Sequence, residues 1–184
     1  MPIPIYAWII IGAVVLFLIY CFNRIIQLEN RIDNSWAQID VQLKRRSDLV
    51  PNLIETVKGY AKHEKSIMTE VTKARENMLK ANTPADKVKA GNMLEGALKS
   101  IFALAENYPQ LRANENFKLL QEELSGIESK IAFSRQHYND TINEYNNTIE
   151  SFPSMIVART MGRKQEKQML QITEAERKNV KVEF

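Results

Sequence analysis

The first charged side chain in this sequence is Arg24, and everything before it is one uncharged, almost wholly apolar run. From 3 to 22 the chain reads IPIYAWIIIGAVVLFLIYCF, in which only Pro4 and Gly12 fall outside the apolar class. As a helix, this run spans roughly 30 Å, which matches the hydrocarbon core of a bilayer. We therefore predict a membrane-spanning anchor over 1–23.

Both ends of this run carry residue types that mark membrane boundaries. Tyr6 and Trp8 lie near one end, and Tyr20 and Arg24 lie near the other; aromatic rings and basic side chains favour the headgroup level. A cleaved signal peptide is the alternative, but it would begin with a positively charged region and end at a small-residue site. Because Lys and Arg occur only after the run, beginning with Arg24 and Arg31, we expect the larger part of the chain in the cytosol.

The composition of the whole chain favours an all-α fold. Six glycines and six prolines in 184 residues are few, and no stretch alternates β-branched with polar residues. The single cysteine, Cys21, excludes an intrachain disulfide and a cysteine-based zinc site. With 25 basic against 22 acidic residues, the net charge of +3 gives no reason to expect a nucleic-acid partner.

Apolar residues after Arg24 recur at spacings of three and four, which is typical of an amphipathic helix. The spacing predicts one helix from 24 to about 80, continuous with the membrane span. Pro51 is its one strong irregularity, for which we prefer a kink to a full turn. The predicted stripe consists of Ile25, Leu28, Ile32, Trp36, Ile39, Leu43, Val50, Leu53, Val57, Tyr60, Ile67, Val71, Ala74 and Met78.

Two further helices are predicted, one capped by Thr83 and ending near Asn107, and one capped by Asn114 and ending at Phe152-Pro153. The last carries a heptad seam of Phe117, Leu120, Leu124, Ile127, Ile131, Ser134, Tyr138, Thr141, Tyr145, Thr148 and Phe152. The expected product is an antiparallel up-and-down bundle over 24–162, with three long helices, or four if Pro51 breaks the first. A basic linker and tail would follow over 163–184.

Four blocks of this sequence resemble the LemA family of bacterial membrane-anchored proteins. They are DNSWAQIDVQLKRRSDLVPNLIETVKGYAKHE (33–64), YPQLRANENF (108–117), YNDTINEYNNTIESFPSMIVARTMG (138–162) and ITEAERKNVKVEF (172–184). The resemblance implies an amino-terminal membrane helix with a short outside tail and a helical bundle. With the charge asymmetry, it predicts a single-pass protein of the bacterial inner membrane with its bundle in the cytosol.

No pattern in the sequence indicates catalytic chemistry. His63 begins no HExxH motif, because position 67 is Ile67, and the residues three before the two histidines are Tyr60 and Ser134 rather than glutamates. Walker A and GxSxG motifs are also absent. We predict no catalytic, cofactor-binding or metal-binding residue and no small-molecule substrate.

A Tyr-Asn pair occurs twice at a spacing of seven, as Tyr138-Asn139 and Tyr145-Asn146. Seven residues are two helical turns, so both pairs lie on one side of the predicted helix. Polar groups beside an apolar seam penalise misaligned helix pairing, which makes a register device the simplest interpretation.

A second polar group lies on the first helix. Asp33 and Asp40 flank Trp36 and could accept hydrogen bonds from the tyrosines or asparagines of the last helix, although a solvated charged face is nearly as good an interpretation. For Arg45 and Arg46 we predict structural ion pairs rather than lipid contacts, because about 30 Å of helix separates them from the membrane.

The segment from Phe152 to Lys167 mixes apolar and basic residues after Pro153. We predict membrane contact by Ile156, Arg159, Arg163 and Lys164, because apolar anchors beside basic side chains suit an anionic leaflet. Packing against the base of the bundle is the alternative.

The function predicted from these features is a non-enzymatic scaffold at the inner membrane. It would act by homo-oligomerisation or by docking other membrane proteins, with membrane lipids as further partners. The alternative is an envelope-stress or membrane-remodelling factor that forms higher-order assemblies on the bilayer.

Overall fold

The computed structural model describes residues 4–61 and 63–170, and every regular element in them is a helix. The all-α prediction is therefore confirmed. The resemblance block and the predicted tail beyond residue 170 lie outside the described residues. The helices are α1 (Ile5–Lys58), α2 (Lys65–Lys80), α3 (Pro84–Glu106), α4 (Pro109–Ala113), α5 (Glu115–Glu150) and α6 (Ser154–Thr160).

Helix α1 joins the apolar run to the amphipathic stripe without interruption, but it ends at Lys58 and not near residue 80. The prediction of one helix over 24–80 is wrong because the turn that begins at Gly59 was overlooked. There the amides of Tyr60 and Ala61 both donate to the carbonyl of Val57, at 3.0 and 2.9 Å, and α2 begins only at Lys65.

Pro51 lies inside α1, which continues through it. Proline cannot donate the backbone hydrogen bond that the carbonyl four residues earlier would accept. That carbonyl belongs to Ser47, and Arg75 Nε of α2 donates to it at 2.9 Å. Tertiary contact thus satisfies the acceptor that Pro51 leaves open.

The predicted helix starts are confirmed at both caps. The Thr83 hydroxyl accepts from the Asp86 amide at 3.1 Å, and Pro84 occupies the first turn of α3. Likewise the Asn114 side chain accepts from the Phe117 amide at 2.9 Å at the start of α5. Each cap satisfies an amide that the helix itself leaves without a partner.

The described residues divide into two compact units, which we call the bundle unit (Trp36–Gln136) and the anchor unit (4–35 with 137–170). In the bundle unit, α1, α2, α3 and α5 alternate in direction around one apolar core. The up-and-down bundle therefore has four helices, and the break that makes four lies at 59–64 rather than at Pro51. One buried apolar cluster of this unit consists of Val50, Leu53, Val57, Ala61, Val71, Ala74, Leu94, Ala97, Leu98, Ile101, Leu104, Ala105, Leu111, Phe117 and Leu124.

In the anchor unit, the first part of α1 pairs with the end of α5, and α6 packs on both. Its buried cluster consists of Cys21, Ile25, Leu28, Ile32, Ile142, Tyr145, Ile149, Val157 and Ala158. This set corrects the predicted seam, because Ile142 and Ile149 are buried whereas Phe152 is 78% exposed. A straight helix drifts by about 20° per heptad, so after several heptads the next residue along the chain takes the inward position.

Candidate functional site

The candidate membrane anchor is the exposed apolar part of α1. Its side chains from Ile5 to Tyr20 are largely exposed; Trp8 is 61% exposed and Leu16 is 69% exposed. Cys21 is the first buried residue along the helix. Among the described residues, α1 is long and apolar enough to cross a bilayer. Tyr6 and Tyr20 are both exposed near the two ends of this segment.

One carboxylate holds the two basic residues that follow the span. Arg24 and Arg31 of α1 both form ion pairs with Glu144 of α5, and Arg31 Nη1 lies 3.2 Å from Glu144 Oε2. Glu144 therefore ties α5 to the first two turns beyond the membrane segment. Arg24, which was predicted to lie at the membrane boundary, therefore also has an ion-pair partner on α5.

A second carboxylate, Glu29, gathers three polar contacts inside the anchor unit. Arg163 donates from Nε and Nη2 to its two oxygens, each at 3.1 Å, and the Tyr145 hydroxyl donates to Oε1 at 3.3 Å. The hydrogen bonds from Arg163 lower the pKa of Glu29. Burial raises the pKa of Tyr145, and the nearby Glu29 charge raises it further.

Asn139 and Asn146 each bind one residue of the segment 163–170, which we call the strap. Asn146 donates to the Lys167 carbonyl and accepts from the Lys167 amide, both at 3.0 Å. Asn139 does the same with Leu170, at 3.0 and 2.8 Å. Each side-chain amide thus pairs with backbone in the way that a neighbouring strand would.

The spacing of the two asparagines fits the strap. Seven residues of α5 rise about 10 Å, and three residues of extended chain, from Lys167 to Leu170, cover about the same length. The strap runs antiparallel to α5, since Asn146 meets Lys167 and Asn139 meets Leu170. The seven-residue repeat therefore sets the register of an extended segment on the helix.

The tyrosines of the repeated pair face α1. Lys167 Nζ lies 5.3 Å from the centre of the Tyr145 ring, a cation–π distance. Burial raises the pKa of Tyr138, and the charge of Asp33 adds to that shift. Asp33 thus lies near Tyr138, as the sequence allowed, but the acceptor for Tyr145 is Glu29.

Helix α6 presents two different faces. Val157 and Ala158 are buried in the cluster that contains Cys21 and Ile25. Outside this cluster, Phe152, which precedes α6, is 78% exposed, and Ile156 of α6 is 52% exposed. Four residues, Ile149, Glu150, Met155 and Arg159, line a cleft of about 590 Å³ together with Arg163 and Lys164.

A buried guanidinium lies in the core of the bundle unit. Arg46 is 1% exposed, and it donates to Glu128 Oε2 at 2.6 Å and to the Gly91 carbonyl at 3.0 Å. Burial lowers the pKa of Arg46, and burial also raises the pKa of Glu128. A Cβ at Gly91 would lie 2.8 Å from the Leu43 side chain, so glycine permits the close approach of α3 to α1.

The remaining polar residues singled out on α1 pair within the bundle unit. Asp40 binds Lys87 of α3 at 2.6 Å, and Arg45 binds Glu123 of α5 at 2.8 Å. Trp36 is half-buried at the start of this unit. The sequence suggested that Asp40 could accept a hydrogen bond from a tyrosine or asparagine of the last helix, but its partner is Lys87 of α3.

An apolar groove runs along the bundle unit between α1 and α5. It has a volume of about 530 Å³, and its walls include Ala37, Val41, Lys130 and Phe133. Val41 is 61% exposed and Phe133 is 73% exposed. Large apolar side chains left open beside a groove are typical of an interaction surface.

Comparison with known proteins places this chain. A family model matches residues 35–184, which is most of the sequence, and it describes the LemA family. The chain belongs to the LemA family. As a LemA-family chain with an apolar amino-terminal helix, it is a membrane-associated protein.

Individual relatives of this LemA-family chain are distant. Protein LemA of Metamycoplasma hominis is 25% identical over 145 residues, covering 76% of this chain and 64% of the relative. Magnetosome protein MamQ 2 of Paramagnetospirillum magneticum is 23% identical over 181 residues, covering 82% and 66%. Magnetosome protein MamQ of Magnetospirillum gryphiswaldense is 22% identical, covering 77% and 61%. The chain thus spans a little under two thirds of the length of these relatives.

Sequence reasoning did not single out Glu29, Glu144 or Gly91, although all three organise these contacts. Glu29 directly follows Leu28 of the apolar stripe. A charged residue at the edge of such a stripe could have indicated a polar contact between helices. Gly91 could have been flagged as a glycine within a helix, where glycine costs about 1 kcal/mol relative to alanine unless packing requires it.

Proposed function

We propose that this chain is a single-pass scaffold of the bacterial inner membrane, with its amino terminus outside and its helical units in the cytosol. One observation carries the proposal. The exposed apolar segment and the buried stripe belong to the same helix, α1, so the helical units are joined directly to the proposed anchor. The absence of Lys and Arg before Arg24 supports the orientation.

A non-enzymatic role is supported by the ion pairs that three charged residues form. Glu29, Arg163 and Arg46 form pairs that hold helices or the strap in place. Within 4–61 and 63–170, no three His, Cys, Asp or Glu side chains are grouped so as to hold a metal ion. The scaffold proposal follows from the structural use of these groups.

The proposed surface for self-association is the groove of the bundle unit, and its proposed occupant is a second copy of this chain. Of its eight lining residues only Lys130 is charged, so two copies can approach with little like-charge repulsion. Anchoring in one bilayer gives all copies the same orientation and raises their local concentration. Val41 and Phe133 supply the apolar contact.

The test uses the full chain, purified in detergent and reconstituted in bilayers. Extraction by carbonate and protease accessibility in cells check the anchor and its orientation. Subunit number is then compared between the unmodified chain and the double variant Val41→Glu/Phe133→Glu. Leu79→Glu/Leu119→Glu is the control, because these leucines are also exposed.

We expect oligomers for the unmodified chain and the control, and monomers for the groove variant. An unmodified chain that remains monomeric at bilayer concentrations would rule out self-association. A chain released by carbonate would rule out the anchor.

The second candidate is a membrane-remodelling factor. The exposed Phe152 and Ile156 near the start of the buried part of α1 favour it, because apolar side chains inserted at an interface perturb lipid packing. The magnetosome relatives give a separate reason to test it. Cryo-electron microscopy of liposomes containing the full chain would show tubes, rings or altered curvature if it is correct, and unchanged spheres if it is not.

A further inference from the structure

The position of α6 along α1 follows from the residues that α6 packs against. Val157 and Ala158 share a buried cluster with Cys21 and Ile25, where the exposed apolar part of α1 ends. Four residues of helix rise about 6 Å, so Cys21 and Ile25 both lie within about one turn of the end of the apolar run. Helix α6 therefore packs in a cluster that begins where the exposed apolar segment of α1 ends.

Apolar side chains are exposed just before α6 and in its first turn. Phe152 and Ile156 are four residues apart and 78% and 52% exposed. At the proposed level, these side chains reach the boundary between headgroups and acyl chains, where apolar groups and aromatic rings are favourably placed.

Basic side chains lie next to these apolar ones. Arg159 and Lys164 are exposed and line the cleft of about 590 Å³, and neither forms an ion pair in the described part of the chain. Arg163 lines the same cleft but is held by Glu29. Glu150, also on the cleft, shares a hydrogen bond with Glu166, which raises the pKa of Glu150.

We propose that Phe152, Ile156, Arg159 and Lys164 form a binding site for an anionic phospholipid of the leaflet from which α1 emerges. The apolar pair enters the interface, and the two cations bind the headgroup phosphate over the cleft. Continuity with the membrane span identifies the occupant as a lipid rather than a soluble phosphate. This inference rests on the membrane anchoring in the proposed function.

Depth is tested with spin labels on the full chain in nanodiscs of phosphatidylglycerol and phosphatidylcholine. Single cysteines replace Phe152, Ile156, Val15 or Asp140 in a Cys21→Ser background. Val15 reports the span, and Asp140 is an exposed position on α5, about 15 Å along the helix from Glu150. We expect labels at 15, 152 and 156 to collide with oxygen in preference to a water-soluble nickel complex, and the label at 140 to do the reverse.

The two failures are distinguishable. A label at 15 that collides mainly with the nickel complex overturns the proposed anchor. Lipid contact at 15 together with water contact at both 152 and 156 overturns the lipid site alone.

Headgroup recognition is tested by native mass spectrometry of the full chain from mixed micelles of the two lipids. Each basic side chain near an anionic surface contributes about 1 kcal/mol, so Arg159→Gln and Lys164→Gln should each reduce phosphatidylglycerol enrichment about fivefold. Arg112→Gln and Lys118→Gln, each made alone, remove the same charge at exposed positions and should leave enrichment unchanged. Equal loss in either control, or displacement of the lipid by excess inorganic phosphate, would overturn the assignment.

Discussion

The bundle unit and the anchor unit use different means to hold α1. In the bundle unit, four helices surround a core of fifteen buried apolar residues. In the anchor unit only two long helices pair, and their smaller cluster is joined by α6, by the strap and by the carboxylates Glu29 and Glu144. Two paired helices can bury only one apolar stripe on each helix. Hydrogen bonds and ion pairs therefore provide the other contacts that hold the anchor unit together.

This contrast teaches that polar groups do different work in the two units. Arg46 is enclosed by its own core and paired with Glu128. Asn139 and Asn146 instead recognise backbone, so they fix where an extended segment lies without reading its side chains. Four variant sets test the comparison, in order of decreasing effect.

The largest effect is expected for truncations in the two apolar clusters. Ile101→Ala in the bundle unit and Ile142→Ala in the anchor unit each remove a fully buried side chain. Each should lower the free energy of unfolding of its own unit by about 3 kcal/mol, because a buried cavity is left. Hydrogen exchange of the full chain, followed by mass spectrometry, locates the change. Equal loss of protection in both units from either variant would show that the two units unfold together.

The buried pair in the bundle unit should respond unequally to its two partners. Glu128→Gln leaves Arg46 charged at 1% exposure and should cost about 2 kcal/mol. Arg46→Met leaves Glu128, whose side chain is 38% exposed and can be hydrated, and should cost about 1 kcal/mol. Urea unfolding of the full chain in detergent measures both. A larger cost for Arg46→Met would contradict this account.

The strap should be held less firmly when the two asparagines of α5 that bind it are shortened. Asn139→Ala and Asn146→Ala each remove two hydrogen bonds and should each lower strap protection by about 1 kcal/mol. The readout is exchange of the Lys167 and Leu170 amides, which donate to these side chains. Asn143→Ala and Asn147→Ala are matched controls, exposed on the same helix. If the controls release the strap equally, the asparagines have no specific role.

The smallest effect is expected from pH. The pKa of Glu29 is lowered in the folded chain, mainly by its hydrogen bonds with Arg163, so its contribution is present above the unfolded pKa near 4.5. That contribution is lost as pH falls through the lower, folded pKa. Strap protection factors should therefore exceed those of Glu29→Gln at neutral pH and converge with them in acid. A difference that persists below the folded pKa would refute the assignment.

Much of the fold could be predicted because it depends on local patterns. The caps at Thr83 and Asn114 and the end of α5 follow from residue types at fixed positions. The end of α1 could not be placed, because the apolar stripe continues through Gly59 into α2 and nothing in its spacing marks a turn. Arg75 shows the same limit, since its bond to Ser47 is what accommodates Pro51.

For the candidate site, the sequence identified types of residue but not their partners. The Tyr-Asn repeat was interpreted as a register device for helix pairing. The partners of its asparagines are in the strap, 21 and 31 residues away along the chain. Arg163 was predicted to contact the membrane, and nothing in the sequence indicated its partner Glu29, 134 residues earlier. Such pairs depend on which helices become neighbours, and helical spacing alone carries no information on that.

The uncharged run before Arg24, the three-and-four spacing and the cap residues by themselves determined an apolar helix long enough to cross a bilayer and an all-α chain after it, because apolar length and periodicity act locally. Tertiary structure decided that the bundle has four helices, that Arg46 lies in its core, and that Asn139 and Asn146 bind the strap. Those outcomes depend on contacts between distant residues, and the free energy of such contacts exists only once the helices have packed.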